Sequence, residues 1–244
     1  MLARKMNTSE TYFYIRSLGL ETSKWLNFSS ESHKDFISRI PQLKEFISAN
    51  RPCLFIWDPK NPENGLKKDF YFNLENEKKI EEWFNENRSL VKKYDYLITT
   101  QITNPKDTNP KYGFIGSVFS DGKGNIFGET YHEPGVYNQR LLSRPKKDLS
   151  DYLNIFCTGN FKPEIILNGK ERIFHDKTSL KEIIDLYGDL RGYFEFMKGV
   201  QNNKIGIYTI GFAQEASYYF PKDLFDHYCL NIRGKMNVRL LSKE

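Results

Sequence analysis

The chain has 244 residues, 39% of them hydrophobic and 15% aromatic, with 36 Lys and Arg against 31 Asp and Glu and a formal net charge of +5. That apolar content supplies a core and excludes an intrinsically disordered chain; the mild positive charge suits anionic partners without requiring them. No run approaches the ~20 apolar residues of a membrane helix, no apolar stretch follows MLARKMNTSE, and Cys53, Cys157 and Cys229 form no CxxC pair, so export, insertion, a disulfide framework and a paired-cysteine zinc site are not expected and a cytoplasmic location is.

In chain order, a first helix is expected to start at Asn7, with Glu10 closing a capping box, and to end at Gly19. A second helix after Ser29 and Ser30 carries Phe36, Ile37, Ile40, Leu43, Phe46 and Ile47 on one face. Pro41 inside it is expected to kink or split it, because proline removes an N–H and crowds the carbonyl one turn back. Residues 54–57 and 69–74 read as short strands joined by DPKNPENGLKK, a loop with two prolines, one glycine and two adjacent lysines. Residues 75–93 read as one amphipathic helix with Ile80, Trp83, Phe84, Leu90 and Val91 inward, followed by a strand over 96–101.

The middle of the chain is rich in strand signals. Residues 114–120 and 125–131 flank Asp121-Gly122-Lys123-Gly124, whose glycines supply the positive φ of a tight turn. Residues 132–162 are expected to be loop, 162–174 a hairpin around Asn168-Gly169, and 179–187 a short helix with Ser179 and Glu182 as a capping box. Strands over 192–197 and 205–213 surround residues 201–204, and the tail from Ser217 alternates aromatic and charged residues before a basic end.

Several residues carry chemistry. Gly65 lacks a Cβ and lets backbone N–H groups approach phosphate oxygens, with Lys67 and Lys68 adding charge. Strand side chains alternate, so one of the two lysines at most faces a cleft; the competing reading is a solvated loop with edge lysines. Glu129 and Glu195 lie in predicted strands where a carboxylate can hold Mg²⁺, and the aromatic neighbours Tyr193, Phe194 and Phe196 imply partial burial of Glu195. Arg140, Arg144 and Arg191 are candidates for bidentate contacts to phosphate or carboxylate. GETYHEPG, residues 128–135, reads as a turn first and a substrate loop second, since its His132-Glu133 spacing fits no HExxH zinc pattern. Cys53 opens a buried strand and reads as a small hydrophobe rather than a nucleophile; neither GxSxG nor GxGxxG occurs.

The order of these pieces resembles the ATP-binding module of the ATP-grasp superfamily. Lys5 with Thr8, Gly19-Leu20-Glu21-Thr22, the helix around Phe36, the strand 54–57, the loop 58–68, the helix 75–93 and the strand 96–102 follow the order of its first half. The hairpin 113–129 and the later strand with Glu195 resemble its second half, and no Rossmann-like domain fits before Lys5, which is more similar to phosphoenolpyruvate synthase than to biotin carboxylase. The resemblance implies an α+β fold of two β-rich lobes, about 1–102 and 103–244, with antiparallel sheets packed against helices. It implies ATP and Mg²⁺ as cofactors, with adenine near Thr100, Gln101 and Ile102, phosphates at Gly65, Lys67 and Lys68, and Mg²⁺ on Glu195 and Glu129. It further implies catalytic roles for Lys67, Arg140 and Arg191 in a ligase or phosphotransferase acting on a carboxylate, with a small-molecule substrate or partner protein and no membrane.

Three positions depart from the family pattern. Trp57 stands where a strand Lys or Arg is usual, Glu195 is followed by Phe196 and Met197 instead of completing Glu-x-Asn, and Thr100-Gln101 replaces a frequent glutamate. A scaffold that keeps the fold without catalysis is therefore a competing reading. A nucleic-acid binder using Tyr218, Tyr219, Phe220 and Tyr228 beside the basic residues 233–243 is another, disfavoured by the modest and dispersed charge.

Overall fold

The computed structural model describes residues 8–61, 65–103, 114–124, 126–131, 153–159, 162–167, 177–213, 217–218 and 239–240. Helix α1, Thr8–Ser17, ends where Gly19 takes a φ of +78°; the Gly19 N–H then reaches the Arg16 carbonyl at 3.0 Å and the Leu20 N–H the Ile15 carbonyl at 3.4 Å. Asn7, the expected cap, lies outside the described residues. Trp25–Ser29 forms a strand, β1, that the sequence reading did not assign. Only Phe28 of its five residues is buried, so alternation is weak and pairing defines the strand.

Helix α2, His33–Asn50, begins with the Ser32 hydroxyl accepting from the Asp35 N–H at 3.1 Å. Pro41 does not split it. The carbonyl a proline leaves unserved is the one four residues back, and Ile37 is 47% exposed, so water can take that bond while Phe36, Leu43 and Ile47 hold the buried face. Strands β2, Cys53–Pro59, and β3, Asp69–Leu74, follow. The expected long helix over 75–93 is shorter: α3 spans Lys78–Glu86, and a 3₁₀ turn, Val91–Lys93, leads into β4, Tyr94–Thr100. Asn87 stops α3, since its backbone N–H and its side-chain amide both donate to the Trp83 carbonyl, at 3.0 and 2.8 Å.

These strands form a sheet in the order β1-β4-β2-β3, antiparallel throughout. One face, with Phe28, Phe55, Trp57, Tyr96 and Ile98, packs on α2 and α3, where the Phe36 and Phe84 rings stack 3.4 Å apart. The other face carries Leu54, Ile56 and Leu97, with Phe70, Phe72 and Tyr12 of α1 against it.

The second sheet contains β5, Phe114–Asp121; β6, Ile126–Tyr131; β7, Leu153–Gly159; β8, Lys162–Leu167; β9, Arg191–Gln201; and β10, Lys204–Ala213, in the antiparallel order β10-β9-β5-β6-β7-β8. β7 occupies part of the stretch expected to be loop; its apolar Leu153, Ile155 and Phe156 are the strand signal the reading passed over. β8 pairs back on β7 with Gly159 opposite Lys162, so the hairpin precedes Asn168-Gly169, and residues 168–174 lie outside the described set. Helix α4, Lys177–Tyr187, begins two residues before Ser179, which puts that serine inside the helix instead of at its cap. β9 and β10 extend to a turn in which Asn202 and Asn203 both have positive φ, 49° and 61°. Two short strands, β11 (Ser217–Tyr218) and β12 (Arg239–Leu240), pair in parallel.

One face of the second sheet, with Phe114, Val118, Phe194 and Phe196, packs with Ile15, Leu20, Ile183 and Tyr187. Helix α1 therefore joins the two halves, Tyr12 lying on the first sheet and Ile15 on the second. The fold is α+β, two antiparallel sheets packed against helices. Among the described residues no helix is long and apolar enough to cross a membrane.

Candidate functional site

The face of the second sheet turned away from α4 carries Tyr193, Glu195 and Met197 from β9, because alternate residues of a strand face opposite ways and Phe194 and Phe196 take the helix side. In register, Glu195 pairs with Ser117 of β5 and Gly211 of β10, and Ser117 pairs on its other side with Glu129 of β6. Glu129 and Glu195 thus occupy the same level on the two strands that flank β5. Among the described residues no group of three or more histidine, cysteine or carboxylate side chains converges.

Glu195 is half-buried, and the Tyr193 hydroxyl donates to its Oε1 at 3.1 Å. Burial pushes its pKa above the usual carboxylate range, while the Tyr193 hydrogen bond and the positive charge of Lys68 pull it back. Lys68 immediately precedes β3 of the first sheet. The positive charge of Lys68, at the edge of one sheet, is thus felt by a carboxylate of the other. Gly65, with φ +70°, Lys67 and Lys68 are all exposed.

Between the sheets runs the linker that continues β4. The Thr100 N–H donates to the Lys24 carbonyl, the Gln101 N–H to Pro52, and Thr103 and Val200 exchange both backbone bonds at 3.0 and 2.8 Å. None of these pairings uses the N–H or C=O of Ile102, whose side chain packs against Ile115, Met197 and Tyr208. Thr100 pairs with Cys53 on the helix side of the first sheet, and its buried hydroxyl has no hydrogen-bond partner among the described residues. The Gln101 side chain is engaged with Asn73: its Oε1 accepts from the Asn73 N–H at 2.9 Å and its Nε2 donates to Asn73 Oδ1 at 3.0 Å.

Trp57 also faces the helices, 5.1 Å from Trp83, so a lysine at that position would point away from the linker side; Leu54 and Ile56 are the apolar β2 residues on the other face. Arg191 shares the Glu195 face but lies four residues down β9, about 13 Å at ordinary strand rise. Its side chain is exposed. Arg140, Arg144 and His132 lie outside the described residues. The Cys53 thiol is pushed up to about 12 by burial, with the charge of Glu75 adding to it, which makes it inert as a nucleophile. The sequence reading missed Gly211, which depends on register across β9 and β10, and took Tyr193 only as a sign of burial although its i, i+2 spacing puts it on the Glu195 face; it also missed the bond between Gln101 and Asn73, residues 28 positions apart.

No family model and no curated protein matches the chain. Among solved structures, the D-alanine–D-alanine ligase from Bacillus anthracis complexed with ATP is 14% identical over 95% of this chain and 62% of that one, with a TM-score of 0.37. The D-alanine–D-alanine ligase from Helicobacter pylori is 17% identical over 94% and 60%, with a TM-score of 0.41. The N5-carboxyaminoimidazole synthase from Aspergillus clavatus, in complex with ADP and 5-aminoimidazole ribonucleotide, is 9% identical over 85% and 44%, with a TM-score of 0.43. This chain spans less than two thirds of each, and likeness at this level fixes neither its activity nor its ligand.

Proposed function

We propose that the chain is an ATP-binding module of ATP-grasp type, with lobes of about 1–102 and 103–244, serving an ATP-dependent ligase or phosphotransferase reaction on a carboxylate. The observation that carries this reading is that the charge of Lys68, at the start of a first-sheet strand, acts on the half-buried Glu195 of the second sheet. A triphosphate with its divalent ion needs such a pair: a cation for phosphate oxygens, and an oxygen donor for the metal. In this reading adenine lies against Ile102, the one linker residue whose backbone groups the linker pairings leave aside. The phosphates meet Gly65, Lys67 and Lys68. Glu195 and Glu129, hard oxygen donors at one register level, would hold Mg²⁺, and the ion would supply charge neutralisation at the phosphates. Arg191 and Arg140 supply the remaining positive charge.

The test is thermal unfolding with Mg²⁺ and ATP, on the wild type and on Lys68→Ala, Lys67→Ala and Glu195→Ala. Ligand at about a hundredfold its dissociation constant stabilises by about 2.7 kcal/mol, which is several degrees for a chain of this size. The shift should disappear with Lys68→Ala and Glu195→Ala. A protein that ignores ATP and is stabilised by oligonucleotides in a salt-dependent way would establish the nucleic-acid reading instead.

A further inference from the structure

β3 does not pair evenly with β2. Cys53 lies opposite Leu74 and Phe55 opposite Tyr71, so three steps along β3 match two along β2, and the extra residue falls at Phe72-Asn73. Asn73 has φ +55°, the left-handed conformation that asparagine tolerates better than other non-glycine residues. A bulge of this kind takes a backbone N–H out of the ladder, and here that N–H is accepted by the Gln101 side chain at 2.9 Å. Gln101 itself is anchored by its own N–H to Pro52, one step beyond the last β2–β4 pair, and its amide reaches past the end of β2 to close the second bond on Asn73 Oδ1.

The bulge decides which face β3 shows. As it stands, Tyr71 packs on Trp57 at 4.9 Å among the helices, and Phe70 and Phe72 lie on the opposite face with Ile56. An even ladder continued from the Cys53–Leu74 pair would put Phe72 opposite Phe55 and Phe70 opposite Trp57. A slip of one residue exchanges the faces of every side chain on the strand. It would turn Phe70, Phe72 and the entering Lys68 toward α2 and α3, and Tyr71 toward the linker side.

We infer that Gln101 is a positioning residue: through its paired hydrogen bonds to Asn73 it locks the β3 bulge and so fixes Lys68 on the side of Glu195. The register part stands on the pairing alone, whereas its consequence for nucleotide binding rests on the function proposed above. The resemblance at first suggested that Gln101 contacts adenine itself; the geometry assigns its side chain to the strand instead.

The experiment reads register and ligand separately. Gln101→Met keeps the length of the side chain and removes both bonds. Nuclear Overhauser contacts across β2 and β3 are compared in the wild type, Gln101→Met and Gln101→Glu, and MgATP affinity is measured on the same proteins. Gln101→Met should show a second set of contacts pairing Phe55 with Phe72, and MgATP affinity should fall about tenfold, the worth of two modest hydrogen bonds. Gln101→Glu should restore the single set, because a carboxylate accepts from the Asn73 N–H and the Asn73 amide can turn to donate to it. Gln101→Asn, one methylene shorter and milder, should give the second set in smaller proportion if Gln101→Met folds poorly. Wild-type pairing retained in both Gln101→Met and Gln101→Asn overturns the inference, and so does lost affinity with unchanged register. A register change in a protein that never binds MgATP upholds it while removing the proposed function.

Discussion

Gly211 makes the room that Glu195 occupies: a Cβ built on Gly211 would come 2.5 Å from Glu195 Oε2 and 3.2 Å from its Cβ and Cδ. The two residues are register partners next to the irregular step between Thr209 and Gly211. Gly211→Ala therefore drives the carboxylate off its position beside Tyr193. It should destabilise by about 1–3 kcal/mol, the usual cost of overpacking. Gly206→Ala on the same strand meets nothing closer than the Tyr208 ring at 3.4 Å and should change stability by no more than about 1 kcal/mol. Equal denaturation midpoints for the two variants would show that Glu195 is not held against β10.

Burial of Glu195 also sets the sign of a pH dependence of stability. Its folded pKa is raised above the ordinary 4.5 by burial. The fold thus favours the protonated acid, a contribution fully present below the unfolded value and lost as pH rises through the folded one. Above that window the ionised carboxylate is a burden, eased by Lys68. Glu195→Gln keeps the shape and the ability to accept from Tyr193 without the charge. The variant should melt higher than the wild type at about pH 7 and converge with it below the unfolded carboxylate pKa. A wild type that melts higher at neutral pH would mean that the Lys68 attraction outweighs burial.

The parts of this architecture legible in the sequence are those fixed by local pattern. The inner face of α3, with Ile80, Trp83 and Phe84, follows from helical spacing, and the Gly122 and Gly124 turn from conformations that glycine adopts readily. Elements settled by partners were not legible. β1 buries one residue in five, and α2 runs through Pro41 because the lost bond falls on its wet side. In the candidate site the partial burial of Glu195 was legible from its aromatic neighbours, and the choice of face for the residues entering β3 was not. That choice depends on one extra residue in β3, which no hydrophobic period reports.

Tyr187 joins α4 to the second sheet by more than packing. Its ring is fully buried beside Phe194 and Phe196, and its hydroxyl lies 2.9 Å from Thr209 Oγ1. Burial pushes the phenol pKa upward, so it stays neutral throughout the working range. Tyr187→Phe strips Thr209, 1% exposed, of that partner and should cost about 1–3 kcal/mol. Tyr208→Phe loses a part-buried bond to the Lys204 carbonyl and should cost about 0.5–1.5 kcal/mol. Urea denaturation of the pair checks the ranking; a smaller loss for Tyr187→Phe would mean that Thr209 finds another acceptor or donor.

Gly199 controls how the linker seats on the second sheet. A Cβ there would lie 2.6 Å from Ile102 Cγ2 and 2.8 Å from the Thr103 carbonyl oxygen. The first atom belongs to a side chain and can shift. The second is backbone, pinned by the bonds that Thr103 exchanges with Val200. Gly199→Ala should therefore cost about 1–3 kcal/mol, and Ile102→Ala made in the same chain should recover only part of it, since the carbonyl clash persists. Hydrogen exchange locates the damage: the Thr103 and Val200 amides should lose protection in Gly199→Ala while the Gln101 amide, bonded to Pro52 on the other side of the linker, keeps its own. Loss of protection at all three would mean that the linker yields as one piece, and retention at all three that β9 moves to admit the methyl group.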